Sequence, residues 1–122
     1  DAQVATPDRE LEGTTWIVTT VLNADSATGG FGETQATLQL ADGTAQVFAG
    51  CNRGSGPATI GATAIEFGAI GTTKMACPQP QMELEMAVMI VLQGTVSYRI
   101  DGNQLTLLNG DAGLVLEAAA DA

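Results

Sequence analysis

Residues 95–117 read TVSYRIDGNQLTLLNGDAGLVLE, and the fold class can be inferred from the pattern of this stretch. Polar and apolar residues alternate through residues 95–101, 104–108 and 113–117, and turn-forming Gly, Asn and Asp residues separate the three runs. Alternation places successive side chains on opposite faces of a strand, and the short turns favour antiparallel neighbours. The stretch therefore predicts a three-stranded meander.

Five more strands of the same kind are predicted upstream. Residues 14–22 (TTWIVTTVL) are dense in β-branched residues, which pack well on a pleated surface. Residues 35–40 and 45–49 flank an Asp-Gly turn at positions 42–43 and predict a hairpin, and residues 58–60 and 64–67 form two further short strands.

One helix interrupts the strands before the final meander. Residues 78–93 (PQPQMELEMAVMIVLQ) open with Pro, lack Gly and repeat apolar residues at spacings of three and four. We expect Met82, Met86 and Met89 to fill the core, and we expect Glu83 and Glu85 to lie near the helix start, exposed on different faces. The predicted fold class is mainly β: an antiparallel open or cracked barrel of about eight short strands with this helix inserted before the last three.

Two segments are predicted as loops. Residues 23–32 (NADSATGGFG) form a long loop, and although residues 23–33 contain several oxygen ligands, they lack the spacing of an EF-hand, so no metal site is predicted. Residues 50–56 (GCNRGSG) contain three glycines and are expected to form a shaped loop rather than a strand.

Composition excludes several functions. Fourteen carboxylates against four cations give a formal net charge of -10, which repels phosphate backbones and makes nucleic acid an unfavourable partner. The chain contains no His, so the usual general base and the commonest transition-metal ligand are both missing. We therefore predict no enzymatic activity, no catalytic residues and no cofactor.

The two cysteines, Cys51 and Cys77, leave three interpretations open. They could form a structural disulfide, remain as free thiols or act as a redox pair. A bridge would stabilise the fold by roughly 3 to 4 kcal/mol through the loop that it closes, and we expect this bridge if the chain lies outside the cytoplasm.

Residues 50–56 and 71–78 (GTTKMACP) together resemble the two signature stretches of the META/HslJ domain family. Trp16, the helix around residues 82–85 and the strand around residues 103–107 are also similar, so the resemblance covers nearly all of residues 11–117. Gly54 stands where the family usually has an aromatic residue, and Lys74 stands where Arg is typical.

The resemblance implies a mainly β fold and an envelope-associated or secreted, often lipid-anchored protein. It also implies a link to heat shock, antibiotic tolerance or virulence, without an assigned catalytic activity. We accordingly divide the chain into a linker or stalk (residues 1–12), a META/HslJ-like domain (13–118) and a tail (119–122). We expect an extracytoplasmic monomer, without a membrane-spanning segment of its own and with an upstream lipid anchor as one form of attachment.

Three functions remain as hypotheses. The first is a non-enzymatic binding or stress-protection module whose surface contains Asn52, Arg53, Thr73 and Lys74, with an unknown protein or envelope component as partner. In the structural alternative for this surface, Asn52 and Arg53 only hydrogen-bond the loop backbone. The second function is a carrier of a small apolar ligand inside the barrel, and the third is a thiol oxidoreductase.

Overall fold

The computed structural model of the chain describes residues 11–22, 27–29, 35–73 and 75–119. These residues form ten strands and one helix, in the following order: β1 Thr15–Leu22, β2 Ala27–Gly29, β3 Ala36–Ala41, β4 Thr44–Ala49, β5 Arg53–Ile60, β6 Ala64–Phe67, β7 Gly71–Thr72, α1 Gln79–Val91, β8 Gly94–Asp101, β9 Gln104–Asn109 and β10 Ala112–Ala118.

Eight of the strands close into an antiparallel barrel, in the order β1-β3-β4-β5-β6-β8-β9-β10. The barrel is closed because β10 also pairs with β1 along most of its length, from Trp16 opposite Ala118 to Leu22 opposite Gly113. The short strands β2 and β7 attach to β1 and β5 respectively. The predicted fold class is confirmed, including the helix before the last three strands.

Inward-facing side chains fill the barrel. Alternate residues of the strands are buried, and α1 adds Leu84, Val88 and Val91 to the same core, with Leu92 just after its end. The largest of the fully buried strand residues in this core are Trp16, Leu38, Leu40, Ile65, Leu105, Leu107, Leu114 and Leu116. Side chains of the described residues thus fill the interior, whereas the carrier hypothesis requires an open cavity there.

The glycine-rich segment differs from its prediction. Only the beginning of residues 50–56 is a turn, and β5 starts at Arg53 and continues through Gly54 and Gly56. Glycine is tolerated inside a strand where another backbone approaches closely, and such an approach occurs here. The predicted loop at residues 23–32 also contains a strand, because Ala27–Gly29 pairs with β1. The rest of that loop lies outside the described residues.

The helix corrects two predictions about its side chains. Met86 is 65% exposed and does not fill the core, because the buried face is formed by Leu84, Val88 and Val91, four and three residues apart. Helix α1 begins at Gln79, so Glu83 and Glu85 both lie beyond the first turn. Glu83 is exposed as expected, whereas Glu85 is partly buried.

The N-terminal stretch packs against the barrel at its described end. Leu11 is buried, its carbonyl oxygen accepts a hydrogen bond from Trp16 Nε1 at 3.2 Å, and Gly13 N–H donates to the carbonyl oxygen of Leu40. Within the described ranges, no helix is both long and apolar enough to cross a membrane.

Candidate functional site

Asn52 lies in the turn between β4 and β5. Among the residues that the structure describes, it is the one polar residue that is buried, with 3% of its surface exposed. Its side-chain Oδ1 accepts hydrogen bonds from Thr73 Oγ1 at 2.9 Å and from Met75 N–H at 2.7 Å. Its Nδ2 donates to Glu85 Oε2 at 3.2 Å and to the carbonyl oxygen of Met75 at 3.3 Å. A side-chain amide has two donors and two acceptor positions, so the hydrogen-bonding capacity of Asn52 is fully used.

The chemistry of the partners fixes the orientation of this amide. The N–H of Met75 can only donate and the carboxylate of Glu85 accepts, so Oδ1 must face the first and Nδ2 the second. The backbone N–H of Asn52 also donates to Glu85 Oε1 at 2.9 Å. We call Asn52, Thr73, Met75 and Glu85 the Asn52 junction, and it joins the β4–β5 turn, the segment before α1 and α1 itself.

The disulfide lies next to this junction. Cys51 and Cys77 are bonded, with their Cα atoms 6.2 Å apart, inside the usual range for a bridge. Cys51 is 6% exposed. The covalent bond and the Asn52 junction therefore hold the same segment of chain against the start of β5.

We call that segment, residues 69–77, the crossing segment. One of its residues, Lys74, lies outside the described residues. Within it β7 pairs with β5, Gly54 opposite Thr72 and Ser55 opposite Gly71. A Cβ atom on Gly56 would overlap the carbonyl oxygen of Ala69 and lie 2.9 Å from the Cα of Ile70. Positions 56 and 58 lie on the same face of β5, and this face is the inner one because Ala58 is buried. The crossing segment therefore passes over the inner face of β5 at this end.

Arg53 and Thr73 lie at the surface beside the buried junction. Thr73 N–H donates to the carbonyl oxygen of Arg53 at 2.9 Å, and Arg53 N–H donates to Thr73 Oγ1 at 3.1 Å. The guanidinium of Arg53 lies 5.9 Å from the centroid of the Phe48 ring, within cation–π distance. The structure thus brings Asn52, Arg53 and Thr73 together, but Asn52 is buried and contributes no surface.

Arg53 and Thr73 line an open groove of about 800 Å³ on the outer face of β1, β3, β4, β5 and β7. We call it the polar groove. Cross-strand pairing aligns one row of its residues across all five strands: Thr15, Gln39, Gln46, Ser55 and Gly71. A second row lies two residues away from the first on strands β3, β4 and β5, and it contains Thr37, Phe48 and Arg53.

The lining of the polar groove carries little charge and includes the apolar side chains of Val47 and Phe48. Arg53 is its one charged residue among the described part of the chain, and the other polar side chains are hydroxyls of Thr and Ser and amides of Gln. Such groups bind ligands through hydrogen bonds and do not supply a nucleophile with an adjacent base. Within the described ranges, no group of three or more His, Cys, Asp or Glu residues is placed to hold a metal ion.

Comparisons with known proteins agree with this fold. An NMR structure of a protein from Burkholderia xenovorans is similar, with a TM-score of 0.75 and 24% identity, over 99% of this chain and 97% of that one. A second NMR structure has a TM-score of 0.68 and 16% identity, over 88% and 90% of the two chains. At these identities the likeness shows the fold alone, and no curated protein matches the sequence. The family model described as META domain matches residues 9–121, and the chain therefore belongs to the META domain family.

Proposed function

We propose that this protein is a non-enzymatic binding module of the cell envelope and that its binding surface is the polar groove. The observation that carries the proposal is the groove itself: about 800 Å³ in volume, lined by aligned Thr, Ser and Gln side chains, with Arg53 as the charged group. Concave surfaces with a few convergent polar groups are the usual sites of ligand binding.

Charge supports a role for Arg53 in particular. The whole chain has only four cations against fourteen carboxylates, so most of its surface repels acidic ligands. An exposed guanidinium in a groove otherwise lined by neutral groups is a local exception. This guanidinium group can donate two parallel, charge-assisted hydrogen bonds to a carboxylate or another anion.

The disulfide supports an extracytoplasmic location. Bridges between cysteines persist in oxidising compartments and are rare in the cytoplasm. A periplasmic, secreted or lipid-anchored protein fits this chemistry, and stress protection would follow from binding an envelope component at the groove. We propose that the protein acts as a monomer.

The two alternative functions have less support. A carrier of an apolar ligand needs space inside the barrel, and that space is filled by fully buried side chains such as Ile65, Leu107 and Leu116. A thiol oxidoreductase needs an accessible sulfur in an electropositive environment, whereas Cys51 is buried and Cys77 is only partly exposed.

The proposed function can be tested by NMR titration of the ¹⁵N-labelled protein with separated glycan, lipid and protein fractions of the cell envelope. We expect one fraction to shift amide signals of groove residues such as Gln46 and Ser55, and the shifts to weaken in the Arg53→Gln variant. Arg99→Gln is the control for lost charge, because Arg99 is exposed on β8, outside the groove. Shifts confined to another surface, equal weakening by the control, or no shift with any fraction would overturn the proposal.

A further inference from the structure

We infer that the ligand of the polar groove is an oligosaccharide that carries a carboxylate group. This inference rests on the proposed binding function and specifies its ligand class. It is argued from the shape of the groove, the hydrogen-bonding groups on its floor and the position of its charge.

The groove has the length of several sugar units rather than one. Its first row of residues crosses five neighbouring strands, from Thr15 on β1 to Gly71 on β7. Neighbouring strands lie about 4.8 Å apart, so the row measures roughly 19 Å along the curved wall of the barrel. The ligand that covers it is therefore extended.

The floor of the groove is a sheet face and not a sheet edge. β3 pairs on both sides, and so does β4, hence their backbone groups are already hydrogen-bonded. A peptide that binds by adding a strand needs free backbone groups at an edge. At this floor a ligand meets side chains, which favours a ligand recognised through its own hydroxyl groups.

The side chains on the floor match sugar hydroxyls. Gln39 and Gln46 lie opposite each other across the β3–β4 pair, and Ser55 follows on β5. Each of these groups can both donate and accept a hydrogen bond, as a sugar hydroxyl can. Phe48 is partly exposed in the second row and offers apolar surface to the C–H face of a sugar ring.

Arg53, the one charged group among the described residues of the groove, matches a carboxylate. Arg53 presents a planar fork of donors that pairs with a carboxylate through two parallel hydrogen bonds. A polyphosphate or nucleic-acid strand carries a charge on every unit and would require several cations along the groove. The described lining supplies one.

The inference can be tested by binding to an array of short oligosaccharides. Each acidic oligosaccharide is printed beside its carboxyl-reduced form, and acidic capped peptides and polyphosphate are printed as further probes. We expect at least one acidic oligosaccharide to bind and its reduced form to bind about tenfold more weakly. Arg53→Gln should weaken binding of the acidic form about tenfold and should weaken binding of the reduced form much less, because only the acidic form loses a charge pair. Arg99→Gln should change neither.

The outcomes separate this inference from the proposed function. Equal binding of the acidic and reduced forms would refute the role of the carboxylate. Binding of a peptide or polyphosphate alone, with NMR shifts in the groove, would refute the ligand class and leave the binding function standing. If no probe on the array and no envelope fraction binds, both proposals are wrong.

Discussion

The carboxylate of Glu85 accepts two hydrogen bonds from Asn52, one from the backbone N–H at 2.9 Å and one from Nδ2 at 3.2 Å. Glu85 belongs to α1 and Asn52 to the β4–β5 turn, so the pair ties the helix to the barrel wall. The same turn carries Cys51, whose bridge to Cys77 anchors the chain just before α1. The crossing segment, which lines one side of the polar groove, is therefore held against β5 by the Asn52 junction and by a covalent bond.

Replacing Asn52 by Ala should destabilise the protein by about 2 to 4 kcal/mol. The change removes four side-chain hydrogen bonds and leaves the Met75 N–H and the Glu85 carboxylate partly unsatisfied in a partly buried site. Urea unfolding measures the loss, and Gln46→Ala, at an exposed strand position, is expected to change the free energy of unfolding by less than about 1 kcal/mol. Similar losses for the two variants would mean that Asn52 is not a buried junction.

Replacing Glu85 by Gln should destabilise the protein by about 1 to 2 kcal/mol, because one carboxylate oxygen becomes an NH₂ group facing N–H donors of Asn52. Glu83→Gln is a matched control two residues away, with the same change of charge on an exposed side chain, and should stay within about 0.5 kcal/mol of the parent. Thermal unfolding of both variants decides the point. A larger effect at Glu83 than at Glu85 would contradict the structure.

Removing the disulfide should cost roughly 3 to 4 kcal/mol. The double variant Cys51→Ser/Cys77→Ser, compared with the parent by chemical unfolding, measures this loss. Alkylation followed by mass spectrometry of the protein isolated from its source cells should find neither thiol available before reduction and both after it. Two alkylated cysteines without reduction would show that the bridge does not form in its native compartment.

Replacing Gly56 by Ala should destabilise the protein by about 2 kcal/mol, because the new methyl group would collide with the backbone of Ala69 and Ile70. Gly71→Ala is the control on the facing segment: a Cβ at Gly71 meets nothing within 4 Å, and its φ is not in the left-handed region. The free energy of unfolding of the Gly71→Ala variant should be equal to that of the parent or slightly higher. If Gly56→Ala is tolerated as well as Gly71→Ala, the crossing segment does not pass over β5 as described.

The fold could be predicted because its signals are local. Period-two alternation locates the meander of β8, β9 and β10, and the Asp42-Gly43 turn locates the β3–β4 hairpin. Asp42 indeed adopts a φ of +54° and Gly43 a φ of +75°, both left-handed as this type of turn requires. Closure of the barrel by β1 and β10 has no local signal, since it depends on a contact between the two ends of the fold.

The end of β5, residues 58–60, was predicted as a strand, but its glycine-containing first part was not, because those glycines have a tertiary cause. In isolation, Gly54 and Gly56 indicate a flexible loop. In the structure they allow the backbone of residues 69–72 to approach β5 closely. The prediction of Met86 as a core residue was wrong for a related reason: apolar spacing identifies a helix but does not by itself select which apolar stripe faces the barrel.

The candidate site was predicted in part. The signature stretches located Asn52, Arg53 and Thr73, but not the burial of Asn52, which depends on Glu85 from a helix far along the chain. The groove residues Gln39 and Gln46 had a usable signal, because a hairpin centred on Asp42 and Gly43 places them opposite each other. Thr15 and Ser55 join them only through pairings between strands that lack such a turn.

Amide hydrogen exchange at Met75 tests most directly whether the Asn52 junction holds the crossing segment. The side chain of Met75 is 56% exposed, yet its N–H donates to Asn52 Oδ1 at 2.7 Å. We expect this amide to exchange far more slowly than in an unfolded chain, and to lose that protection in Asn52→Ala while the barrel amide of Ile65 stays protected. Exchange of Met75 in the parent protein at the unfolded-chain rate would contradict the junction and the groove wall that it supports.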